Sequence, residues 1–136
     1  AQEAYSLGAH DVINSTLTSE LDKAASSFDF IISTVNVKLD WNAYINTLKP
    51  KGRLHFVGAT LAPLDLGVFG LIGGQKSVSG SPVGAPGAIE KMLDFAMQHQ
   101  IKPQIEVFEM SNINAAFAHL ASGKARYRIV LANDWD

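Results

Sequence analysis

Apolar positions along this chain alternate between short strand-like runs and stripes of helical period. Ala4, Tyr5 and Leu7 lead into Gly8, a natural left-handed stop, and predict the end of a helix. Val12 and Ile13 predict a short strand. Leu17, Leu21, Ala24 and Phe28 recur at helical spacing, and residues 28–32 predict a strand buried in a parallel sheet. Asp40 is placed to cap a helix whose Trp41, Tyr44, Ile45 and Leu48 fall at i, i+3, i+4 and i+7, closing at Pro50 with Gly52 just beyond. Residues 54–57 predict a second buried strand. The Gly- and Pro-rich stretch 60–74 leaves room for one short helix near 66–71, and Val78 marks a third strand. From Pro86 the stripe Ile89, Met92, Leu93, Ala96 and Met97 predicts a helix with Pro in its first turn. Residues 105–108 alternate with charge as an exposed or edge strand does. Ser111 is placed to cap a helix that turns Ile113, Ala116, Phe117 and Leu120 inward and stops at Gly123, and residues 127–131 predict a last strand.

Strand and helix alternate almost strictly as far as Gln100, the signature of a doubly wound parallel sheet. Three of the strands run into very small residues: Ser33-Thr34, Gly58-Ala59-Thr60 and Gly80-Ser81, with Gly84 soon after. In such sheets ligands bind in the crevice outside the carboxyl ends of the strands. Small residues there let the backbone come close to a flat ligand. One such end means little, but three in series point to a ligand crevice.

Composition removes several function classes. With 136 residues, 47% hydrophobic and 18% charged, the chain is one ordinary globular domain in size. A formal net charge of −2 gives no electrostatic reason to expect nucleic acid or anionic membrane as partner. The absence of cysteine excludes disulfides and thiolate metal sites within these residues. No apolar run has the length of a membrane span and Ala1-Gln2-Glu3 lacks a signal-peptide pattern, so the expected location is the cytoplasm.

Side-chain chemistry is sparse. Gly70 to Ser77 comes within one residue of a phosphate-binding loop, with Gln75 where the last glycine belongs, but it follows a helix and opens a strand, the reverse of the required context. The dinucleotide pattern G-x-G-x-x-G does not occur. His10, His55, His99 and His119 are scattered without a helical partner of metal-ligand type, so no metal site is expected from this chain alone. His55, inside a strand pattern, reads as a packed core residue. No serine stands in a nucleophile elbow. In the basic segment 124–128, Lys124 and Arg126 read as a solvated turn. Arg128, alternating with Tyr127 at the start of an apolar strand, is suited to bidentate contact with phosphate oxygens.

In order, Leu7-Gly8-Ala9-His10-Asp11-Val12-Ile13-Asn14-Ser15, Phe28-Asp29-Phe30-Ile31-Ile32-Ser33-Thr34-Val35, Leu48-Lys49-Pro50-Lys51-Gly52-Arg53-Leu54 leading to Val57-Gly58, and then Gly80-Ser81 resemble successive segments of the medium-chain alcohol dehydrogenases. The ending Gly123-Lys124-Ala125-Arg126-Tyr127-Arg128-Ile129-Val130 is similar to the cinnamyl-alcohol-dehydrogenase-like branch, which prefers NADP. The resemblance covers essentially the whole chain. It implies the C-terminal part of a zinc-dependent oxidoreductase that moves a hydride between an alcohol or aldehyde and NADP (or NAD), with zinc polarising the substrate oxygen. By position it implies that Thr34 and Val35 lie along the cofactor, that Val57 and Ala59 border the nicotinamide, and that Gly58 between them is a cofactor-binding residue. It further implies that the main chain of Ser81 and Val83 holds the carboxamide and that Arg128 meets the pyrophosphate. No catalytic side chain and no metal ligand are expected within these residues.

The fold implied is α/β: a partial doubly wound, Rossmann-like parallel sheet lacking its first two strands, plus a C-terminal segment belonging to the catalytic domain. Residues 1–100 would be the second part of the dinucleotide-binding domain and 101–136 a return to the catalytic domain. The family's zinc ligands and glycine fingerprint match nothing in this chain, so the piece alone is expected to be inactive. In the strand order 3-2-1-4-5-6 the strand at 12–13 is the third and that at 28–32 the fourth, which leaves a gap between them. Either the two pair directly or another copy fills the gap. The family also dimerises along the sheet edge near Val78, so a homodimer is expected, with strand exchange as one route. Two alternatives stay open: a zinc-free quinone or enone reductase fragment, and a nucleotide-binding module with no catalysis.

Overall fold

The computed structural model describes residues 1–135. The chain folds into two compact units, Ala1–Val83 and Gly84–Asp136. The first unit comprises α1 (Gln2–Ser6), α2 (Thr18–Lys23), β1 (Phe28–Ser33), α3 (Trp41–Thr47), β2 (Leu48–Phe56), α4 (Val68–Ile72) and β3 (Ser77–Gly80). Its strands form one parallel sheet in the order β1-β2-β3. Parallel neighbours need a crossover, and α3 and α4 supply the two.

Register sets the core. Ile31 lies opposite Leu54, and Leu54 opposite Val78. Against this face pack Trp41, Ile45 and Leu48, with Phe56 meeting the Trp41 ring edge-on at 4.8 Å. Asp40 caps α3 as expected, its carboxylate accepting from the amides of Asn42 and Ala43. At the other end, Lys76 Nζ donates to the Ile45 carbonyl at 2.7 Å. Asn42 pins the loop between β2 and α4: its amide donates to Asp65 O at 2.9 Å and accepts from Gly67 N at 2.8 Å.

Three expectations for this unit are corrected. Residues 12 and 13 are not a strand. Their neighbourhood is tied by carboxylates instead of a ladder: Val12 N donates to Asp11 Oδ1 at 2.7 Å and Asn14 N to Glu20 Oε2 at 2.6 Å. Helix α3 ends at Thr47 rather than Pro50, and Leu48 is already extended. Proline disfavours helical geometry at Lys49 just before it, so the helix cannot run on to Pro50. Nor is β1 buried on both faces: Phe28, Phe30 and Ile32 are exposed, and only Ser33 is buried. The fold class is as expected, α/β with a parallel sheet. Gly8 stops its helix at φ 96°.

The second unit comprises α5 (Pro86–Gln98), β4 (Ile105–Glu109), a 3-10 turn at Met110–Asn112, α6 (Ile113–Ala121) and β5 (Arg128–Ala132). β4 and β5 pair in parallel, with Ile105 opposite Arg128, and α6 makes the crossover. Here Ser111 is not the helix cap. The 3-10 turn precedes α6, Asn112 stands at the cap position without a side-chain bond, and Ser111 N donates to Asp134 Oδ1 at 3.1 Å. Of the residues expected to face inward, Ala116 is buried while Phe117 and Leu120 are exposed. Gly123 ends the segment at φ 70°.

Candidate functional site

The carboxyl ends of β1, β2 and β3 are tied to one another through the main chain. The amides of Val57 and Gly58 both donate to the Ser33 carbonyl, at 3.0 and 3.1 Å. The Ser81 amide donates to the Phe56 carbonyl at 3.2 Å. A Cβ at Gly58 would stand 2.5 Å from the Thr34 carbonyl carbon and 2.7 Å from the Val35 oxygen, so no side chain fits there without moving backbone. These contacts bring Thr34, Val35, Val57, Gly58, Ala59 and Ser81 to one end of the sheet. A hollow of about 330 Å3 opens there, lined by Phe56, Gly58, Ala59, Val78, Ser79 and Gly80. Val83 follows on the chain and is fully solvated, at 89% exposure.

Two side chains at this end escaped the candidate set. Ser33 Oγ is buried and has no hydrogen-bond partner among the described residues. Leaving a buried hydroxyl unpaired costs on the order of 1–3 kcal/mol, so such groups mark places where a further polar group belongs. His55 is not the packed core residue the strand pattern suggested. It is half-buried on the other sheet face, stacked on Phe30 with ring centroids 6.0 Å apart. Its Nδ1 lies 2.9 Å from Ser79 Oγ and its Nε2 3.0 Å from Ser81 Oγ. The alternation of Ser79 and Ser81 beside a strand carrying His55 was the available signal.

In the second unit Arg128 opens β5. The turn before it is fixed by Glu106 of β4, whose carboxylate accepts from the Arg126 amide and, at 2.6 Å, from His119 Nε2 of α6. A carboxylate only accepts, so the ring proton sits on Nε2. The Arg126 amide, first, and then His119 hold the Glu106 carboxyl below the usual carboxylate range. His119 is thus a tie between helix and strand and not a bare surface residue. Among the described residues no three His, Cys, Asp or Glu side chains gather as a metal site.

The sequence model of zinc-binding dehydrogenases matches residues 1–98. The chain belongs to the zinc-binding dehydrogenase family. Among its relatives, the aldehyde reductase AdhA of Synechocystis is 56% identical over 131 residues, covering 96% of this chain and 39% of that protein. Among solved structures, a cinnamyl alcohol dehydrogenase of Sorghum bicolor superposes with a TM-score of 0.84 at 36% identity, covering 92% of this chain and 35% of that one. A cinnamyl alcohol dehydrogenase of Helicobacter pylori complexed with NADP(H) superposes with a TM-score of 0.67 at 34% identity, over 82% of this chain and 33% of that one. This zinc-binding dehydrogenase chain therefore spans well under half the length of the relatives it matches. They are alcohol and aldehyde oxidoreductases, and the Rossmann-type sheet is shared with them. No helix of the described residues is long and apolar enough to cross a membrane.

Proposed function

We propose that this chain is the coenzyme-facing C-terminal part of an alcohol dehydrogenase that interconverts an alcohol and an aldehyde with NADP(H). The observation that carries the proposal is the close main-chain contact of the β1 and β2 ends at Gly58, with the β3 end tied to β2 through the Ser81 amide, beside a buried unpaired hydroxyl at Ser33. Main-chain groups and small residues at the end of a parallel sheet suit a flat, polar-edged ligand. When bound, the coenzyme supplies the hydride acceptor or donor. Thr34 and Val35 flank it, Val57 and Ala59 border the nicotinamide with Gly58 between them, and the main chain of Ser81 and Val83 holds the carboxamide. Arg128 meets the pyrophosphate as a rigid bidentate donor. The identity to aldehyde reductase AdhA and the NADP(H) complex of the Helicobacter pylori relative support this reading.

The residues present do not fit zinc, because no three candidate ligands converge among those described. On this reading the piece alone is inactive. Residues 1–100 are read as the second part of the dinucleotide-binding domain and 101–136 as the return to the catalytic domain. The end of the family match at residue 98 supports that division. The enzyme is read as a cytoplasmic homodimer joined along the edge at β3.

The test is Gly58→Ala in the full-length protein. Its Cβ meets backbone 2.5 Å away, so β1 and β2 must part at their tips. KM for NADPH is expected to rise tenfold or more, while the far-UV circular dichroism stays that of the wild type. An unchanged KM overturns the placement of the coenzyme.

A further inference from the structure

We infer that His55 is a positioning residue that sets which way the Ser81 hydroxyl points, and thereby whether Ser81 offers a donor or an acceptor to the primary amide of a nicotinamide ring. The inference rests on the coenzyme reading above. A neutral imidazole carries one N–H and one lone pair. Both ring nitrogens of His55 are engaged by serine hydroxyls, Ser79 Oγ at 2.9 Å and Ser81 Oγ at 3.0 Å. The two bonds are therefore complementary. With the proton on Nδ1, Ser79 accepts, and Ser81 commits its O–H to Nε2 and shows only lone pairs outward. With the proton on Nε2, Ser81 accepts from the ring and its own O–H is free to donate outward. A carboxamide has both an N–H2 and a C=O, so either state has a partner, and the choice of tautomer is coupled to how the amide lies.

Geometry separates this from ordinary sheet stabilisation. Ser79 is the ladder partner of His55, and the bond to it joins two strands. The bond to Ser81 reaches past the last ladder pair, Phe56 with Gly80, to a residue outside the strand. The ring cannot turn freely to make some other pair, because it is stacked on Phe30. Ser81 itself is exposed, and its amide is spent on the Phe56 carbonyl, so its hydroxyl is the side-chain group left to address a ligand.

The experiment uses the full-length protein and four forms: His55→Phe, Ser81→Ala, the double variant, and His55→Gln. Each is assayed with NADPH and with its 3-acetylpyridine analogue, which lacks the amide N–H2. His55→Phe keeps an aromatic ring against Phe30 and removes both hydrogen bonds. His55→Phe and Ser81→Ala are each expected to raise KM for NADPH about 5- to 10-fold, the scale of one hydrogen bond. The double variant should be no worse than Ser81→Ala, and His55→Gln, which retains one donor and one acceptor, should recover at least half of the loss. With the acetylpyridine analogue, which keeps the C=O, the losses should fall below twofold where Ser81 accepts from the amide N–H2 and persist where it donates to the C=O. Additive losses in the double variant overturn the inference and leave His55 a structural tie. If His55→Phe does not fold, His55→Leu takes its place in the double-variant comparison. A wild-type protein that saturates with neither NADPH nor NADH overturns the coenzyme reading and this inference together.

Discussion

In the first unit Ile45, Leu48 and Leu54 are 1%, 0% and 0% exposed, packed under Trp41 on one face of a three-stranded sheet. In the second, Ala116 is the buried apolar residue among those described, while Met92, Leu93, Phe117 and Leu120 all stand more than half exposed. Both units contain parallel strands joined through helices, so topology alone does not make a core. The first unit closes one face over its own side chains. The second forms regular elements whose apolar stripes stand exposed among the described residues, with Pro86 in the first turn of α5.

Truncation should expose the contrast most strongly. Leu54→Ala removes a fully buried side chain between Ile31 and Val78, where the sheet limits collapse, and is expected to cost about 2–5 kcal/mol. Leu120→Ala removes a side chain that is 51% exposed and should cost under about 1 kcal/mol. Urea unfolding of the 136-residue chain, followed separately through Trp41 and Trp135 fluorescence, would report the pair. An equal loss at Leu120 breaks the comparison, because it requires that something cover α6 in solution.

How far the sequence could be read follows the same division. Asp40, Pro86, Gly8 and Gly123 act within a turn or two of themselves, and each does what its chemistry predicts. The three strands of the first sheet and their small-residue ends were legible for the same reason: strand, crossover and tip follow one another along the chain. Burial was less so. Phe30 and Ile32 are apolar and exposed because which face of β1 is covered depends on where α3 and α4 lie, not on the run itself. Residues 12–13 failed as a strand because two residues have no ladder of their own, and nearby carboxylates took the amides of Val12 and Asn14. At the site, Gly58 was visible as a small residue. The bridge from His55 to Ser79 and Ser81 spans separations of 24 and 26 residues and exists only once β2 and β3 are in register.

Helix starts sharpen the comparison at a smaller scale. The Asp40 carboxylate accepts from two amides at the head of α3, whose residues Trp41 and Ile45 belong to the core. Asp40→Ala should therefore cost about 1 kcal/mol. Asn112 occupies the same position before α6 and makes no side-chain bond, so Asn112→Ala should change stability by no more than a few tenths of that loss. Paired denaturation curves check both, and a loss at Asn112 matching that at Asp40 would mean that α6 is capped in solution after all.

The finest contrast lies in how each unit holds a loop. In the first, the segment before α4 is pinned by the neutral amide of Asn42, at 2.8 and 2.9 Å, which does not titrate. In the second, the turn before Arg128 is pinned by the Glu106 carboxylate, through the Arg126 amide and His119. The Arg126 amide, followed by His119, lowers the Glu106 carboxyl in the folded state, so its contribution is fully present above the ordinary glutamate value of about 4.3 and is lost as pH falls through the lowered one. Asp134, held low chiefly by the Ser111 hydroxyl, acts with the same sign. Acidification should thus speed amide exchange at Arg126 and leave the Gly67 amide protected after correction for intrinsic rates. Glu106→Gln should abolish the acid step at Arg126. If both loops loosen together in the wild type, the difference in chemistry is not what holds them, since only global unfolding would release an uncharged tie and an ionic one at the same pH.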